Sequence, residues 1–252
     1  MTMHPESMRG QRPYMDVLAQ LHQQLRPELY LEIGVRHGGS LRLATGPAIG
    51  IDPKNQLSEA LPDTAQFCEM TSDDFFVAAE QAGITSRFDF AFIDGMHLFE
   101  FALRDFINVE RHAQPWTLVV FDDICPNHPL QAARDRVTNV WTGDVWKLRD
   151  CLRRYRPDLV QVVLDTAPTG LMLVMGLDPS NTVLQDHYDT IVAEYVDTAW
   201  EVPAQALQRE GALVPSDDMV RSITGLVERV RASDDQGREM RQLRDLMRWR
   251  GV

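Results

Sequence analysis

The chain has 252 residues, and its 37 acidic side chains outnumber 25 basic ones, which gives a formal net charge of −12. The length allows one large domain with its own core, and the acidic balance disfavours nucleic acid and anionic membrane surfaces as partners. The three cysteines have no CxxC spacing, so neither a disulfide framework nor a zinc site is expected. No signal region or membrane-length apolar run is visible, and the sequence predicts a cytoplasmic protein.

Helical periodicity and short apolar runs alternate along the first two thirds of the chain. A leading helix is predicted at Pro13–Leu25, and further helices at Asp73–Ala82, Leu98–His112 and Asp144–Tyr155. Strands are predicted at Tyr30–Val35, Ala48–Asp52, Gln66–Met70, Phe88–Asp94, Thr117–Asp122, Val160–Leu164 and Leu171–Leu177. Several strands are apolar on both faces, which is typical of a parallel sheet covered by helices. The sequence therefore predicts an α/β fold, a Rossmann-like doubly wound and mostly parallel seven-stranded sheet, whose first crossover helix is short.

The last third of the chain is helical in pattern. Apolar residues from Val183 to Val196 line one face of a single predicted helix, those from Met219 to Val230 line another, and a final helix is predicted near Glu239–Trp249. We therefore divide the chain into a domain at residues 1–178, with its N-terminal helix, and a helical C-terminal extension at residues 179–252. The extension also offers a surface for a homodimer.

A glycine-rich turn follows the first strand directly, in Glu32-Ile-Gly34-Val-Arg-His-Gly38-Gly39-Ser40. Glycine permits positive φ and lets a ligand approach the backbone. Asp52 ends the second strand, where a nucleotide-binding α/β fold holds a ribose diol. The pair predicts a nucleoside-containing ligand, with a purely structural turn as the alternative. The spacing differs from the G-x-G-x-x-G fingerprint, which disfavours a nicotinamide oxidoreductase.

Acidic residues also end the fourth and fifth strands, as Asp94 and as the pair Asp122-Asp123. Because the carboxyl ends of neighbouring parallel strands face one crevice, we expect these side chains to converge. Carboxylates that lie close together repel unless a cation neutralises them, and their oxygens suit Mg²⁺ first, then Mn²⁺ or Ca²⁺. His97 follows Asp94 closely and has the ordinary pKa of a general base. The structural alternatives are a loop cap for one acid of the pair and a packing role for His97.

These motifs together resemble the class I S-adenosylmethionine-dependent methyltransferases. Within them, the chain is similar to the small bacterial metal-dependent sugar O-methyltransferases of the macrocin and mycinamicin type. The segments that carry the resemblance are Leu31–Ser40, Ile51–Pro53, Asp89–His97 and Phe121–Asp123. Residues 1–178 would then be the methyltransferase domain.

The resemblance implies a role for each matched position. Cofactor-binding residues would be Glu32, Gly34, Gly38, Ser40, Asp52, Ser72 and Asp94: the turn would hold the methionine part of S-adenosylmethionine, Asp52 the ribose and Ser72 would lie near the adenine. Asp94, Asp122 and Asp123 would hold Mg²⁺, although some relatives have Glu-Asp where this chain has Asp-Asp. His97 and Asp94 would be the catalytic residues, and the acceptor would be a hydroxyl of a sugar or other small metabolite. Methylation of nitrogen or carbon stays open.

Two questions are left open by the sequence. A non-catalytic binding protein with the same fold is the main alternative, and the acid cluster argues against it. The segment Asn139-Val-Trp141-Thr-Gly143-Asp144-Val-Trp146-Lys147 also resembles a part of bacterial methyltransferase-like proteins, without a known role. Its tryptophans could form an acceptor pocket, although tryptophan is more often found in a core.

Overall fold

In the computed structural model, a seven-stranded sheet forms the centre of the protein. The structure describes residues 4–83, 87–198 and 200–249, and it describes side chains only as far as residue 245. The strands are β1 (Arg12–Pro13), β2 (Tyr30–Ile33), β3 (Ala48–Asp52), β4 (Ala65–Glu69), β5 (Phe88–Ile93), β6 (Ala113–Phe121), β7 (Val160–Leu164), β8 (Thr166–Ala167) and β9 (Leu171–Met175). The order across the sheet is β4-β3-β2-β5-β6-β9-β7, and β1 and β8 form a separate small pair. β9 pairs antiparallel with both β6 and β7, and the other pairs of the sheet are parallel. The predicted mostly parallel, Rossmann-like sheet is confirmed.

The helices are α1 (Tyr14–Leu25), α2 (Ser72–Gln81), α3 (Phe99–Arg111), α4 (Leu148–Tyr155), α5 (Val183–Asp186), α6 (Tyr188–Val196), α7 (Ala204–Leu207), α8 (Asp217–Arg231) and α9 (Gln236–Trp249). Side-chain caps fix two of the starts: Thr71 accepts the Asp74 N–H before α2, and Ser216 accepts the Met219 N–H before α8. Between β2 and β3 the chain forms a single 3₁₀ turn, Leu41–Leu43. The prediction of a very short first crossover is thus confirmed.

The single helix predicted from Val183 to Val196 is wrong, because the structure has two helices that meet at His187. The backbone of His187 has φ −109° and ψ 7°, which lies outside the helical region and ends α5 before α6 begins. Apolar residues keep their spacing through this break. Periodicity reports which face is buried, and it does not report the dihedral angles of one residue.

Helices cover both faces of the sheet and make two apolar clusters. One cluster joins α2, α3, α4 and α6 to the sheet and includes Phe106 and Tyr195. The other joins α1, α8 and α9 to the opposite face and includes Leu18 and Val227. The C-terminal helices α8 and α9 thus supply part of the main core, while the domain boundary at residue 178 stays a prediction. Among the described helices, none combines the length and apolar character needed to cross a membrane.

Candidate active site

The carboxyl ends of β2, β3, β5 and β6 lie side by side. Backbone hydrogen bonds of 2.8 to 3.2 Å continue the ladder into the residue that follows β2, β5 and β6. Parallel pairing therefore brings Gly34, Asp52, Asp94 and Asp122 to one edge of the sheet, as the sequence predicts.

The glycine turn passes directly beside the end of β5. Gly34 has a φ of +91°, and a Cβ added to it would lie 2.0 Å from the Asp94 carbonyl oxygen. Gly38 also has a positive φ, +75°, and its N–H donates to the Val35 carbonyl at 2.8 Å. A side chain at Gly34 would separate β2 from β5, so the close approach requires glycine.

Glu32 and Ser40 contact each other inside this turn. The buried Glu32 carboxylate accepts hydrogen bonds from the Ser40 hydroxyl and the Tyr30 phenol, each at 2.7 Å. Burial raises the pKa of Glu32 to about 8, and the two hydroxyl donors partly offset that rise. The hydrogen bond between Ser40 and Glu32 thus stabilises the turn. Contact of either side chain with a cofactor stays a prediction.

Asp52 presents its carboxylate at the end of β3. One oxygen accepts the Arg36 N–H and the other accepts the Lys54 N–H, both at 2.9 Å. The half-buried carboxylate is thereby fixed in orientation, and each oxygen keeps a further lone pair. Such a group can accept hydrogen bonds from two neighbouring hydroxyls.

Ser72 lies at the start of α2 and is tied to a buried acid that the sequence reading missed. Its hydroxyl donates to Asp105 at 2.5 Å, and burial raises the pKa of Asp105 to about 7. The second Asp105 oxygen lies 3.5 Å from the position a Cβ on Gly95 would take. A signal existed in the sequence, because Asp105 interrupts the apolar face of α3 between Ala102 and Phe106.

Asp94, His97 and Asp123 form one cluster at the ends of β5 and β6. His97 Nε2 lies 3.3 Å from Asp94, and His97 Nδ1 lies 2.8 Å from Asp123. One ligand atom from each of the three residues fits within a 4.8 Å span. His97 and Asp123 both have a positive φ, +53° and +63°, a conformation that is uncommon for residues other than glycine.

Asp122 is buried beside this cluster but faces different partners. Its Oδ1 accepts the Asp123 N–H at 2.8 Å and the Thr169 hydroxyl at 3.2 Å. The turn of the backbone at Asp123 lets two consecutive acids lie near one crevice. Asp94 and Asp123 each offer an oxygen to the cluster, and the roles of all three aspartates as metal ligands stay predictions.

The carboxylates at this edge of the sheet lie close together, so a neighbouring positive charge stabilises their ionised forms. Burial raises the pKa of Asp94 and that of Asp122, and the neighbouring carboxylates raise both further. Burial lowers the pKa of His97, but Asp123 and Asp94 outweigh that effect and raise it to about 12. Asp123 and Asp94 thus favour the protonated form of His97. The carboxylates of Asp94 and Asp123 lie close together and offer oxygen donors of the kind that Mg²⁺ or Mn²⁺ prefers.

The two tryptophans of the 139–147 segment have different surroundings. Trp141 is half-buried and stacks on His97, whereas Trp146 is 6% exposed and packs edge-on to Trp200 in the interior. The acceptor-pocket interpretation thus applies to Trp141 alone, and Trp146 is a core residue.

Comparisons with known proteins agree with this geometry. Residues 31–124 match the model of a family described as a methyltransferase domain. An O-methyltransferase from Bacillus cereus in complex with SAH is similar, with 17% identity, a TM-score of 0.50, and coverage of 66% of this chain and 83% of that chain. A putative caffeoyl-CoA O-methyltransferase from Staphylococcus aureus has 16% identity, a TM-score of 0.51, and coverage of 65% and 82%. No curated protein sequence matches the chain.

A more distant solved structure has the same architecture. It is an SAH-bound methyltransferase from Podospora anserina, with 12% identity, a TM-score of 0.50, and coverage of 66% of this chain and 78% of that chain. At these identities the likeness is one of fold. The family match adds the segment from β2 to the turn after β6, which contains the glycine turn, Asp52 and the whole acid cluster. Residues 31–124 therefore match a methyltransferase domain, and the chain has the fold of these solved methyltransferases.

Proposed function

We propose that the protein transfers the methyl group of S-adenosylmethionine to a hydroxyl of a sugar or other small metabolite, assisted by a divalent cation, Mg²⁺ first. The observation that carries this proposal is the position of His97, whose ring lies between Asp94 and Asp123, while the backbone of Asp94 contacts Gly34 of the glycine turn. A protein that only bound the cofactor would need the turn. It would not need an imidazole held among carboxylates at the same edge.

The cofactor pocket is supported by the turn and by Asp52. The turn at Gly34 and Gly38 would hold the methionine part, and Asp52 would accept from the two ribose hydroxyls. Ser72, held by Asp105, would lie beside the adenine. When bound, S-adenosylmethionine supplies a methyl group already activated on a sulfonium, so the residues of the site mainly have to align the acceptor.

Asp94 and Asp123 would hold the cation, with Asp122 as the third predicted ligand. Their buried carboxylates repel one another in the absence of positive charge, which favours binding of a divalent ion. A bound cation would lower the pKa of the acceptor hydroxyl and restrict its orientation.

His97 would take the proton of the acceptor. The neighbouring carboxylates raise the pKa of the His97 ring and favour its protonated form. A cation on Asp94 and Asp123 would compete with that proton, and His97 would then be neutral and able to accept one. The acceptor oxygen forms its bond to the methyl carbon as the sulfur–carbon bond breaks, and the hydroxyl proton goes to His97.

Oxygen is favoured over nitrogen and carbon as the acceptor atom. Two of the similar solved structures are named as O-methyltransferases. A metal-bound hydroxyl is also the acceptor that gains most from a cation beside a base. The choice of a sugar rests on the family resemblance of the sequence.

Calorimetric titration tests the cofactor first. S-adenosylmethionine should bind in Mg²⁺ and equally in EDTA, whereas NAD should not bind. Asp52→Asn should weaken binding by about tenfold, because each hydrogen bond to a charged group is worth a kcal/mol or more, while Asp189→Asn on exposed α6 should not change it. If S-adenosylmethionine binds in neither buffer, the proposal is wrong.

A screen of sugars and phenols with isotopically labelled methyl donor tests the transfer. We expect a methyl ether product that requires Mg²⁺ or Mn²⁺ and disappears in EDTA. Cofactor binding without transfer to any hydroxyl would favour the non-catalytic alternative. Transfer to amines alone would correct the acceptor assignment.

A further inference from the structure

Trp141 contacts His97 in two ways, although 44 positions separate them in the sequence. The two rings are stacked, with centroids 5.2 Å apart and planes 15° from parallel. The Trp141 carbonyl oxygen also lies 2.8 Å from His97 Nδ1. The plane of the imidazole and the direction of one of its nitrogens are thus both set by the same residue.

The residues after Trp141 hold the backbone of His97. Gly143 has a φ of +52°, and a Cβ added to it would lie 1.7 Å from the His97 carbonyl oxygen. The Asp144 N–H donates to that carbonyl at 3.2 Å. His97 itself has a left-handed backbone, so these contacts surround a residue whose conformation needs support.

Asp144 joins this segment to the start of α3. Its buried carboxylate accepts the Phe99 N–H at 2.8 Å, which caps the helix that begins two residues after His97. The other oxygen accepts from Arg134 and from the buried Lys147, each at 2.8 Å. Lys147 donates in addition to the Tyr195 carbonyl at 2.7 Å. Buried ion pairs therefore anchor the segment that contacts His97.

We propose that Trp141 is a positioning residue for His97, and that the 139–147 segment serves to present His97 Nε2 to the acceptor. Both neighbours of Nδ1, the Trp141 carbonyl and the Asp123 carboxylate, are hydrogen-bond acceptors, so Nδ1 carries a proton. In the neutral ring, Nε2, which faces Asp94 at 3.3 Å, is then the nitrogen that can take a proton. The catalytic meaning of this placement rests on the proposed function, whereas the placement itself does not.

Nuclear magnetic resonance of the histidine side chains tests the placement without any turnover. The His97 ring signals are identified by their loss in His97→Gln among the seven histidines of the chain. We expect upfield ring-current shifts of its protons in the wild type and in Trp141→Phe, and their loss in Trp141→Leu. Trp146→Phe is the matched control, since Trp146 lies in the same segment and packs on Trp200.

The nitrogen signals test the proton position. Nδ1 should show the ¹⁵N shift of a protonated nitrogen both without metal and with Mg²⁺. An unprotonated Nδ1, or identical His97 shifts in the wild type and Trp141→Leu, would overturn the proposal. If Trp141→Leu does not fold, Trp141→Phe takes its place in the comparison. This variant keeps an aromatic ring but loses the 2.6 Å hydrogen bond from the indole N–H to the Ala133 carbonyl. Its His97 signals therefore still show whether the ring at position 141 lies over the imidazole.

Turnover tests the consequence of the placement. We expect kcat to fall about tenfold or more in Trp141→Leu and less than about threefold in Trp141→Phe, because a small misplacement of a reacting group is costly. The S-adenosylmethionine Kd should stay constant in both. An unchanged kcat in a Trp141→Leu protein whose His97 signals have moved would overturn the positioning role. If the wild type methylates nothing, the proposed function fails, and the magnetic resonance results still decide where Trp141 holds the ring.

Discussion

His97 Nδ1 lies 2.8 Å from Oδ2 of Asp123, and this contact joins the turn after β5 to the turn after β6. Both residues have a left-handed backbone, with φ of +53° and +63°. Such a conformation costs about 1–3 kcal/mol for each non-glycine residue. The surrounding contacts, among them the stacked ring of Trp141, maintain it. At this pair, a defined geometry of the two side chains is kept despite its cost in backbone conformation.

Replacement of His97 by alanine should reduce turnover by a factor of about 10² or more, the usual contribution of a general base. S-adenosylmethionine affinity should be unchanged, because the ring faces the acid cluster. Steady-state kinetics and calorimetry on the same preparation measure both quantities. His187→Gln, an exposed histidine between α5 and α6, serves as the control. Retention of wild-type turnover would exclude His97 as the base, and a parallel loss of Mg²⁺ affinity would instead make it a metal ligand.

Asp94→Asn and Asp123→Asn should each weaken binding of Mn²⁺ by about tenfold or more, because each removes one charge from the donor set. Titration monitored by electron paramagnetic resonance measures the free ion directly. Asp122→Asn decides whether the third predicted ligand takes part, since its Oδ1 already accepts from Thr169. Equal Mn²⁺ affinity in wild type and in both Asp94→Asn and Asp123→Asn would contradict the metal site.

His22 should make the protein less stable at acid pH. Both ring nitrogens are buried without a hydrogen-bond partner, and the ring contacts Tyr30 and Phe90 edge-on. Burial lowers the pKa of His22 from 6.5 to about 4. The folded-state pKa lies below the unfolded one, so this contribution to stability is complete above pH 6.5 and is lost as the pH falls toward 4.

Urea unfolding at several pH values checks this effect. The wild type should lose about 2 kcal/mol of unfolding free energy through His22 between pH 7.5 and pH 5, and His22→Leu should lack that part of the pH dependence. His187→Gln should retain it. Parallel pH profiles for wild type and His22→Leu would show that His22 is not the source.

Two glycine-to-alanine substitutions should have opposite effects on stability. Gly225 is exposed within α8, and a Cβ there meets no atom within 4 Å, so Gly225→Ala should stabilise the protein by about 0.5–1 kcal/mol. Gly143→Ala should destabilise it by about 2 kcal/mol or more, because the new Cβ would overlap the His97 carbonyl and the φ is positive. Denaturant midpoints measure both changes. A neutral Gly143→Ala would mean that the segment can move away from His97.

The fold followed from local patterns along the chain. Apolar runs such as Phe90 to Ile93 identify strands that are buried on both faces, and the acids that end them mark the sheet edge where ligands bind. Asp94, Asp122 and Asp123 were predicted to converge because parallel strands align their carboxyl ends. That rule requires only that the strands are parallel neighbours in one sheet, and it does not depend on the loops. The seven predicted strands are confirmed, because each is identified by the apolar pattern of its own residues.

Local patterns did not reveal which distant segments touch. Asp105 lies on an apolar helix face, and only the folded structure shows that its carboxylate accepts the Ser72 hydroxyl. The break at His187 depends on the backbone dihedral angles of a single residue, which hydrophobic periodicity does not reveal. The contribution of α8 and α9 to the core was likewise decided by which sheet face the other helices left uncovered.

The sequence by itself determined which segments form strands and where the glycine turn, Asp52 and the acidic strand ends fall along the chain, because period-two and period-3.6 patterns are properties of neighbouring residues. Only the tertiary structure decided that Trp141 stacks on His97. That contact joins residues 44 positions apart through a carbonyl and a ring face, and no spacing rule encodes it. Contacts between loops depend on how the whole sheet positions them, so they appear only once the chain has folded.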